Sequence, residues 1–207
     1  MMSDKADALK ILIAVGAVLK NDHFEYPSGR HGASFINKDA LFPHVGAVSQ
    51  LCELIAEHFQ LCRYRGVEVV AGRGVRGMAL AQWTAHHLTR LQGNCEPCMA
   101  VYADRAEEGE FVFRRGQGKL IAGKNVLIVE DVMVTGESVL RMIELVKHRG
   151  NLVGVGVLSD RGYITDEYLG VPDLHVLAEL SDVTYAPADC PMCRQGKPLS
   201  PTPGSNT

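Results

Sequence analysis

Apolar positions in this 207-residue chain follow two alternating rhythms, one helical and one of short continuous runs. Residues 4–20 carry apolar side chains at helical spacing and predict an N-terminal helix. Residues 21–37 are rich in turn formers and aromatics, with Tyr26-Pro-Ser-Gly-Arg30 reading as a turn between two short strands. In 45–59, apolar residues at 48, 51, 55 and 59 make one face of a second helix. A buried strand is expected over 67–71, then a Gly/Arg loop and a helix over about 77–91. Further strands are expected over 99–103, 126–129, 153–158 and 175–180. A helix after the second of these buries Val139, Met142, Ile143 and Val146, and the charged stretch 104–124 reads as an exposed loop or hairpin. Strands alternating with helices at this spacing imply βαβ units and a parallel sheet. The expected organisation is one α/β domain over 1–197 with N-terminal elaborations, followed by a disordered Pro/Gly/Ser/Thr tail over 198–207.

Composition narrows the classes of partner. A net charge of −3 gives neither a basic footprint for nucleic acid nor a polybasic membrane patch. No stretch approaches the roughly 20 apolar residues of a spanning helix. Asp4 and Asp7 stand near the N-terminus without a basic n-region or cleavage pattern, so a cytoplasmic protein is expected.

The chemistry concentrates in Val126-Leu-Ile-Val-Glu-Asp-Val-Met-Val-Thr-Gly-Glu-Ser138. An apolar strand ends in adjacent carboxylates, Glu130 and Asp131, and Val132 follows them. Thr135, Gly136, Glu137 and Ser138 then lead into a helix, offering hydroxyls and backbone N–H groups suited to a phosphate. The carboxylates are placed to accept hydrogen bonds from sugar hydroxyls, so a phosphorylated sugar fits both ends. A second glycine-rich loop, Gly72-Arg-Gly-Val-Arg-Gly77, lets backbone approach a ligand closely and supplies forked guanidinium donors.

The strand, acid pair and Thr-Gly-x-Ser loop resemble the signature of the type I phosphoribosyltransferases. Ser28-Gly-Arg-His-Gly-Ala-Ser-Phe-Ile-Asn-Lys38 looks like the N-terminal signature of the orotate enzymes of that family. The resemblance spans about 20–195 and implies a central parallel sheet flanked by helices, with a small hood. It implies that Arg76 and Gly77 belong to a pyrophosphate loop, that Glu130 and Asp131 hold the ribose, and that 132–138 cradle the phosphate. Phe35, Lys38 and Arg161 would meet the base. Arg105, at the start of a catalytic hairpin ending in Arg114-Arg-Gly116, would meet the pyrophosphate, and Arg73 carries less weight than Arg76. The implied reaction transfers phosphoribose from 5-phosphoribosyl 1-pyrophosphate to orotate, with Mg²⁺ and in a homodimer. Two alternatives stay open: a transferase for another base, and a non-catalytic sugar-phosphate sensor. Pro27, Val134 and Glu137 depart from the family pattern, with Pro27 replacing a lysine whose charge Arg30, His31 or Lys38 would have to supply.

Six cysteines include two Cys-x-x-Cys pairs, Cys95/Cys98 and Cys190/Cys193. A four-thiolate zinc site needs both pairs to meet in space. Free or weakly paired thiols are the favoured reading, and the eight histidines show no close ligand spacing.

Overall fold

The computed structural model describes residues 2–26, 28–61, 66–93, 96–106, 110–161, 163–180 and 183–201. Helix α1 (Met2–Ala14) is shorter than expected, because the chain turns at Gly16 and Val18–Leu19 becomes strand β1. Strands β2 (Phe24–Glu25) and β3 (His31–Gly32) form one antiparallel ribbon, and β4 (Phe35–Ile36) pairs with β1 in another. These ribbons and α2 (Lys38–Leu41) form the N-terminal hood, and α3 (Val45–Leu61) follows.

The main sheet has six strands in the order β10-β9-β8-β5-β6-β7. They are β5 (Val69–Arg73), β6 (Met99–Arg105), β7 (Phe111–Val112), β8 (Asn125–Met133), β9 (Asn151–Asp160) and β10 (Leu174–Glu179). All pairings are parallel except β6 with β7, the hairpin within the charged stretch. The crossover elements are α4 (Gly74–Leu91), α5 (Gln117–Leu120), α6 (Glu137–Lys147) and α7 (Asp166–Leu169). A 3₁₀ turn (Pro187–Asp189) and α8 (Pro191–Arg194) close the chain.

Side chains of a strand alternate between its two faces, and the core divides accordingly. Val70, Leu127, Val129, Val153 and Leu177 pack beneath α1, α3 and α4, against Leu12, Leu51, Ile55, Phe59 and Leu80. Val69, Ala71, Val126, Ile128, Val155 and Val157 pack on the other face against Val139, Met142, Ile143 and Val146 of α6. The sheet is therefore covered on both sides, as near-continuous apolar strands require. The chain beyond 197 is not all loose tail: the Ser200 N–H donates to the His23 carbonyl at 2.7 Å. Among the described residues, no helix is long and apolar enough to cross a membrane.

Candidate active site

The sheet splits at its carboxyl edge. Strand β8 pairs with β5 only through Ile128, opposite Ala71, while its ladder with β9 continues to Met133. From this seam the chain moves to β6 on one side and to β9 and β10 on the other. Such a switch point is where open α/β sheets bind ligands. Here it holds a cleft of about 430 Å³ lined by Lys38, Arg73, Gly74, Val75, Arg76, Glu130 and Asp131. A larger cavity of about 780 Å³ lies at the opposite, N-terminal ends of the strands, beside Glu68, Lys124 and Asn125. Glu68 is already bonded there to Lys124 at 2.7 Å and to the Asn125 N–H at 3.0 Å.

The two acids do not end the strand, as the sequence suggested, but lie inside β8 and are buried. Strand alternation sends them to opposite faces. Glu130 shares the face of Ile128 and accepts a hydrogen bond from Arg73 Nε at 3.0 Å. Asp131 shares the face of Val129, where Lys38 Nζ is 3.8 Å and Arg76 Nε 4.0 Å from its Oδ2. Arg76 is also hydrogen-bonded to Asp39. Two backbone N–H groups complete the shell, Asp131 N to Glu130 Oε1 at 3.1 Å and Val132 N to Asp131 Oδ1 at 2.7 Å. Burial, together with the Asp131 charge, pushes the Glu130 carboxyl up to about 7 despite Arg73.

Whereas Arg76 is hydrogen-bonded to Asp39, Arg73, which carries less weight than Arg76 in the sequence, is thus the arginine at hydrogen-bond distance from one of the two strand acids. Its odd-numbered place in β5, two beyond Ala71, was the available signal. Its guanidinium also lies over the Phe111 ring, 5.3 Å from the centroid. The expected Gly/Arg loop is almost absent, for β5 runs to Arg73 and α4 starts at Gly74 rather than near Gly77. A Cβ on Gly72 would sit 1.9 Å from the Gly77 carbonyl oxygen, so this tight turn requires glycine. Gly77 is buried behind the cleft and shapes the turn instead of lining the space.

Around the corner, Glu130 and residues 132–139 line a recess of about 160 Å³. Gly136 has φ of 78°, a left-handed conformation, and caps the N-terminus of α6. Thr135 and Ser138 flank it, and the Thr135 hydroxyl accepts the Glu137 N–H at 3.4 Å. The Glu137 side chain is 68% exposed and pairs with Arg141 one turn along the helix.

On the hood side, Arg161 follows the end of β9, donating from Nη1 to the Tyr26 hydroxyl at 3.0 Å with its guanidinium 4.2 Å from that ring's centroid. Tyr26 in turn donates to the Ser34 carbonyl at 2.6 Å, next to half-buried Phe35. Tyr26 was read from the sequence only as a turn residue. Pro27 lies outside the described residues. Of the cations considered as its substitute, Arg30 is engaged with Thr184 at 2.6 and 2.9 Å, and His31 is buried. Lys38 alone of the three lines the cleft. Arg105 is exposed at the end of β6, beyond the cleft lining, and Arg114 Nε stands 3.9 Å from Asp104.

Among the described residues, Cys98 does not join the second cysteine pair. Cys98 precedes β6 at the amino edge of the sheet, where its N–H bonds Thr89 at 3.0 Å and burial pushes its thiol up to about 12. Cys190 and Cys193, at α8, gather instead with His23 and His31 of the hood. Cys95 lies outside the described residues.

A crevice at the switch point, with paired acids, clustered cations and a glycine-capped helix start, defines a sugar-phosphate-binding α/β fold. Residues 49–167 match the family described as the phosphoribosyl transferase domain. The chain is 33% identical over 202 residues to an orotate phosphoribosyltransferase of Chlorobium phaeobacteroides, covering 95% of this chain and 94% of that one. It is 35% identical to the enzyme of the same name from Caldicellulosiruptor bescii, over 90% of each chain. The crystal structure of orotate phosphoribosyltransferase from Aeropyrum pernix superposes with a TM-score of 0.63 and 26% identity, covering 83% of this chain and 93% of that one. The chain belongs to the orotate phosphoribosyltransferase family.

Proposed function

We propose that this chain transfers the 5-phosphoribosyl group of 5-phosphoribosyl 1-pyrophosphate to orotate, releasing pyrophosphate and forming orotidine 5'-phosphate. The observation that carries the reading is the cleft in which Lys38, Arg73 and Arg76 surround Glu130 and Asp131. Both substrates are anions, and the cleft offers three cations beside two acceptors for ribose hydroxyls. The 5'-phosphate belongs at the start of α6, held by backbone N–H groups and the Thr135 and Ser138 hydroxyls. A pyrimidine nitrogen then attacks the anomeric carbon while the bond to pyrophosphate breaks, and the leaving group carries away the electron pair. No protein nucleophile is needed. The work lies in positioning the reactants and stabilising charge on the departing pyrophosphate, the role assigned to Arg76 and Arg105.

Arg161, braced against Tyr26, reads the pyrimidine together with Phe35. Arg105 lies outside its own chain's cleft, which supports a homodimer in which the hairpin completes the partner's site. The donor set also fits Mg²⁺, a hard cation held by one or two carboxylates plus substrate phosphates. Glu130 and Asp131 supply oxygens only, and the three neighbouring cations leave the remaining positions to substrate and water. When bound, Mg²⁺ contributes charge neutralisation at the phosphate and ribose oxygens.

Orotate consumption in the presence of 5-phosphoribosyl 1-pyrophosphate and Mg²⁺ tests the reading. Arg161→Gln should raise the KM for orotate about tenfold or more, the worth of one charge-assisted hydrogen bond, with the KM for the sugar pyrophosphate nearly unchanged. A wild-type chain that binds the sugar pyrophosphate but consumes no orotate would refute it.

A further inference from the structure

At the hood, four side chains from three separate segments converge on one point. His23 precedes β2, His31 lies in β3, and Cys190 and Cys193 stand one helical turn apart at α8. Their ligand atoms all lie within 4.8 Å of one another, and His23, His31 and Cys190 are buried. We propose that His23, His31, Cys190 and Cys193 bind one structural Zn²⁺ ion. This site is separate from the cleft and does not depend on the reaction assigned to it.

Four of the six ligand–ligand edges have the lengths of a tetrahedral site. With Zn–N of about 2.0–2.1 Å and Zn–S of about 2.3 Å, a tetrahedral site has edges of about 3.3 Å between nitrogens and about 3.6 Å from nitrogen to sulfur. Here His23 Nε2 and His31 Nδ1 are 2.9 Å apart. The nitrogen–sulfur separations are 3.5 Å (His23 to Cys190), 3.7 Å (His23 to Cys193) and 3.3 Å (His31 to Cys193). All are within a few tenths of an ångström of the required edges.

The hydrogen bond behind the ring supplies a second argument. His23 Nδ1 is 2.8 Å from the Lys197 carbonyl oxygen, which can only accept. Nδ1 therefore carries a proton, which leaves Nε2 as the ring nitrogen that faces the cluster and would ligate the metal, the arrangement typical of a metal-ligating histidine. Two thiolates and two neutral imidazoles leave a Zn²⁺ site with no net charge, which suits burial. Mixed nitrogen and sulfur ligation in a closed tetrahedron selects zinc over the oxygen-seeking Mg²⁺ of the cleft.

The ion would pin the C-terminal segment to the ribbon that presents Tyr26. The same junction is held more weakly by the His31–Tyr185 backbone pair at 2.8 and 2.9 Å and by the Ser200 N–H to the His23 carbonyl. Zinc thus fixes the hood over the base-reading end of the site by a bond rather than by core packing. Two residues per ribbon strand bury too little to do so alone.

The test uses the full-length, untagged, reduced chain. Elemental analysis after gel filtration should find about one zinc per chain, the stoichiometry of a closed four-ligand site. Cobalt added to chelator-stripped protein should give the strong visible bands of a tetrahedral site with a thiolate charge-transfer band. Both signals should be lost in Cys190→Ser/Cys193→Ser. Chelation should lower the melting temperature of the wild-type chain and leave that of the double variant unchanged. Three results would overturn the proposal: absence of the cobalt spectrum from folded, reduced wild-type protein, a Cys190–Cys193 disulfide in metal-free protein, or stoichiometric zinc retained by the double variant. If the double variant does not fold, the wild-type cobalt titration decides alone.

Discussion

Glu130 and Asp131 are neighbours in sequence yet act on opposite faces of the sheet, and their electrostatics differ. Among the described residues, Asp131 has two cations within 4.0 Å, whereas Glu130 has Arg73 alone and a carboxyl pushed up to about 7. Asp131→Asn keeps the volume and the acceptor for the Val132 N–H but removes the charge. Turnover at saturating substrate should fall by about a hundredfold or more, the scale of losing one preorganised electrostatic partner, while the melting temperature barely moves. Near-wild-type turnover would show that Asp131 has been misassigned. For Glu130 the raised value means that the folded chain keeps a proton which the unfolded chain releases from about 4.5 upward. Its burial therefore disfavours the fold increasingly as pH rises from about 4.5 to about 7, with the full cost present above that range. Ribose hydroxyls and Mg²⁺ favour the ionised form, so sugar-pyrophosphate affinity should climb with pH towards about 7, with proton release on binding. Calorimetry in buffers of different ionisation enthalpy reads that release, and Glu130→Gln should abolish it. The acid pair was legible in the sequence because its chemistry is carried by consecutive residues. Arg73 and Tyr26 were less so, since their importance comes from partners 57 and 135 positions away.

At the scale of elements, the strands and helices of the main sheet followed from apolar periodicity, and their ends did not. Periodicity marks a buried strand by its apolar residues. The pattern therefore ends strand β8, which continues through two acidic residues, four residues early at its carboxyl end, and separates β5 from its helix by a loop that scarcely exists. The ladder to β9 and the Arg73 partner hold that charged stretch extended. The turn from β5 into α4 has no room for a side chain at Gly72, and Gly72→Ala should cost more than the about 1–3 kcal/mol of ordinary overpacking, because the clash is with backbone. Chemical denaturation reads this directly, and an unchanged midpoint would mean that the turn can open. In the phosphate recess, the Glu137 carboxylate is paired with Arg141 on the solvent side. Glu137→Gln should therefore change sugar-pyrophosphate affinity by less than about threefold, since an exposed charge several ångströms away is screened by water. A gain of orders of magnitude would place that carboxylate inside the phosphate site.

For the whole molecule, the hood was the least legible part. Its strands are two residues long, and their stability comes from contacts with chain more than 150 residues away. The turn between β2 and β3 at 26–30 is legible in the local pattern, but those distant partners are not. The position of Arg105 outside the cleft of its own chain carries the dimer proposal to a sharp test. Mixing Arg105→Ala with Asp131→Asn, each expected to be strongly impaired alone, should raise activity well above either variant if hairpins serve the partner's site, because one site of the mixed dimer is then wild type. Sites complete within one chain would give no recovery. The most direct test of the whole account is a competition. The chain is given 5-phosphoribosyl 1-pyrophosphate, Mg²⁺ and equal amounts of orotate, uracil, adenine, guanine and hypoxanthine, and the nucleotides formed are identified by mass. Orotidine 5'-phosphate alone is expected, with one pyrophosphate released for each orotate consumed. A different nucleotide, or binding of the sugar pyrophosphate with no nucleotide at all, would contradict it.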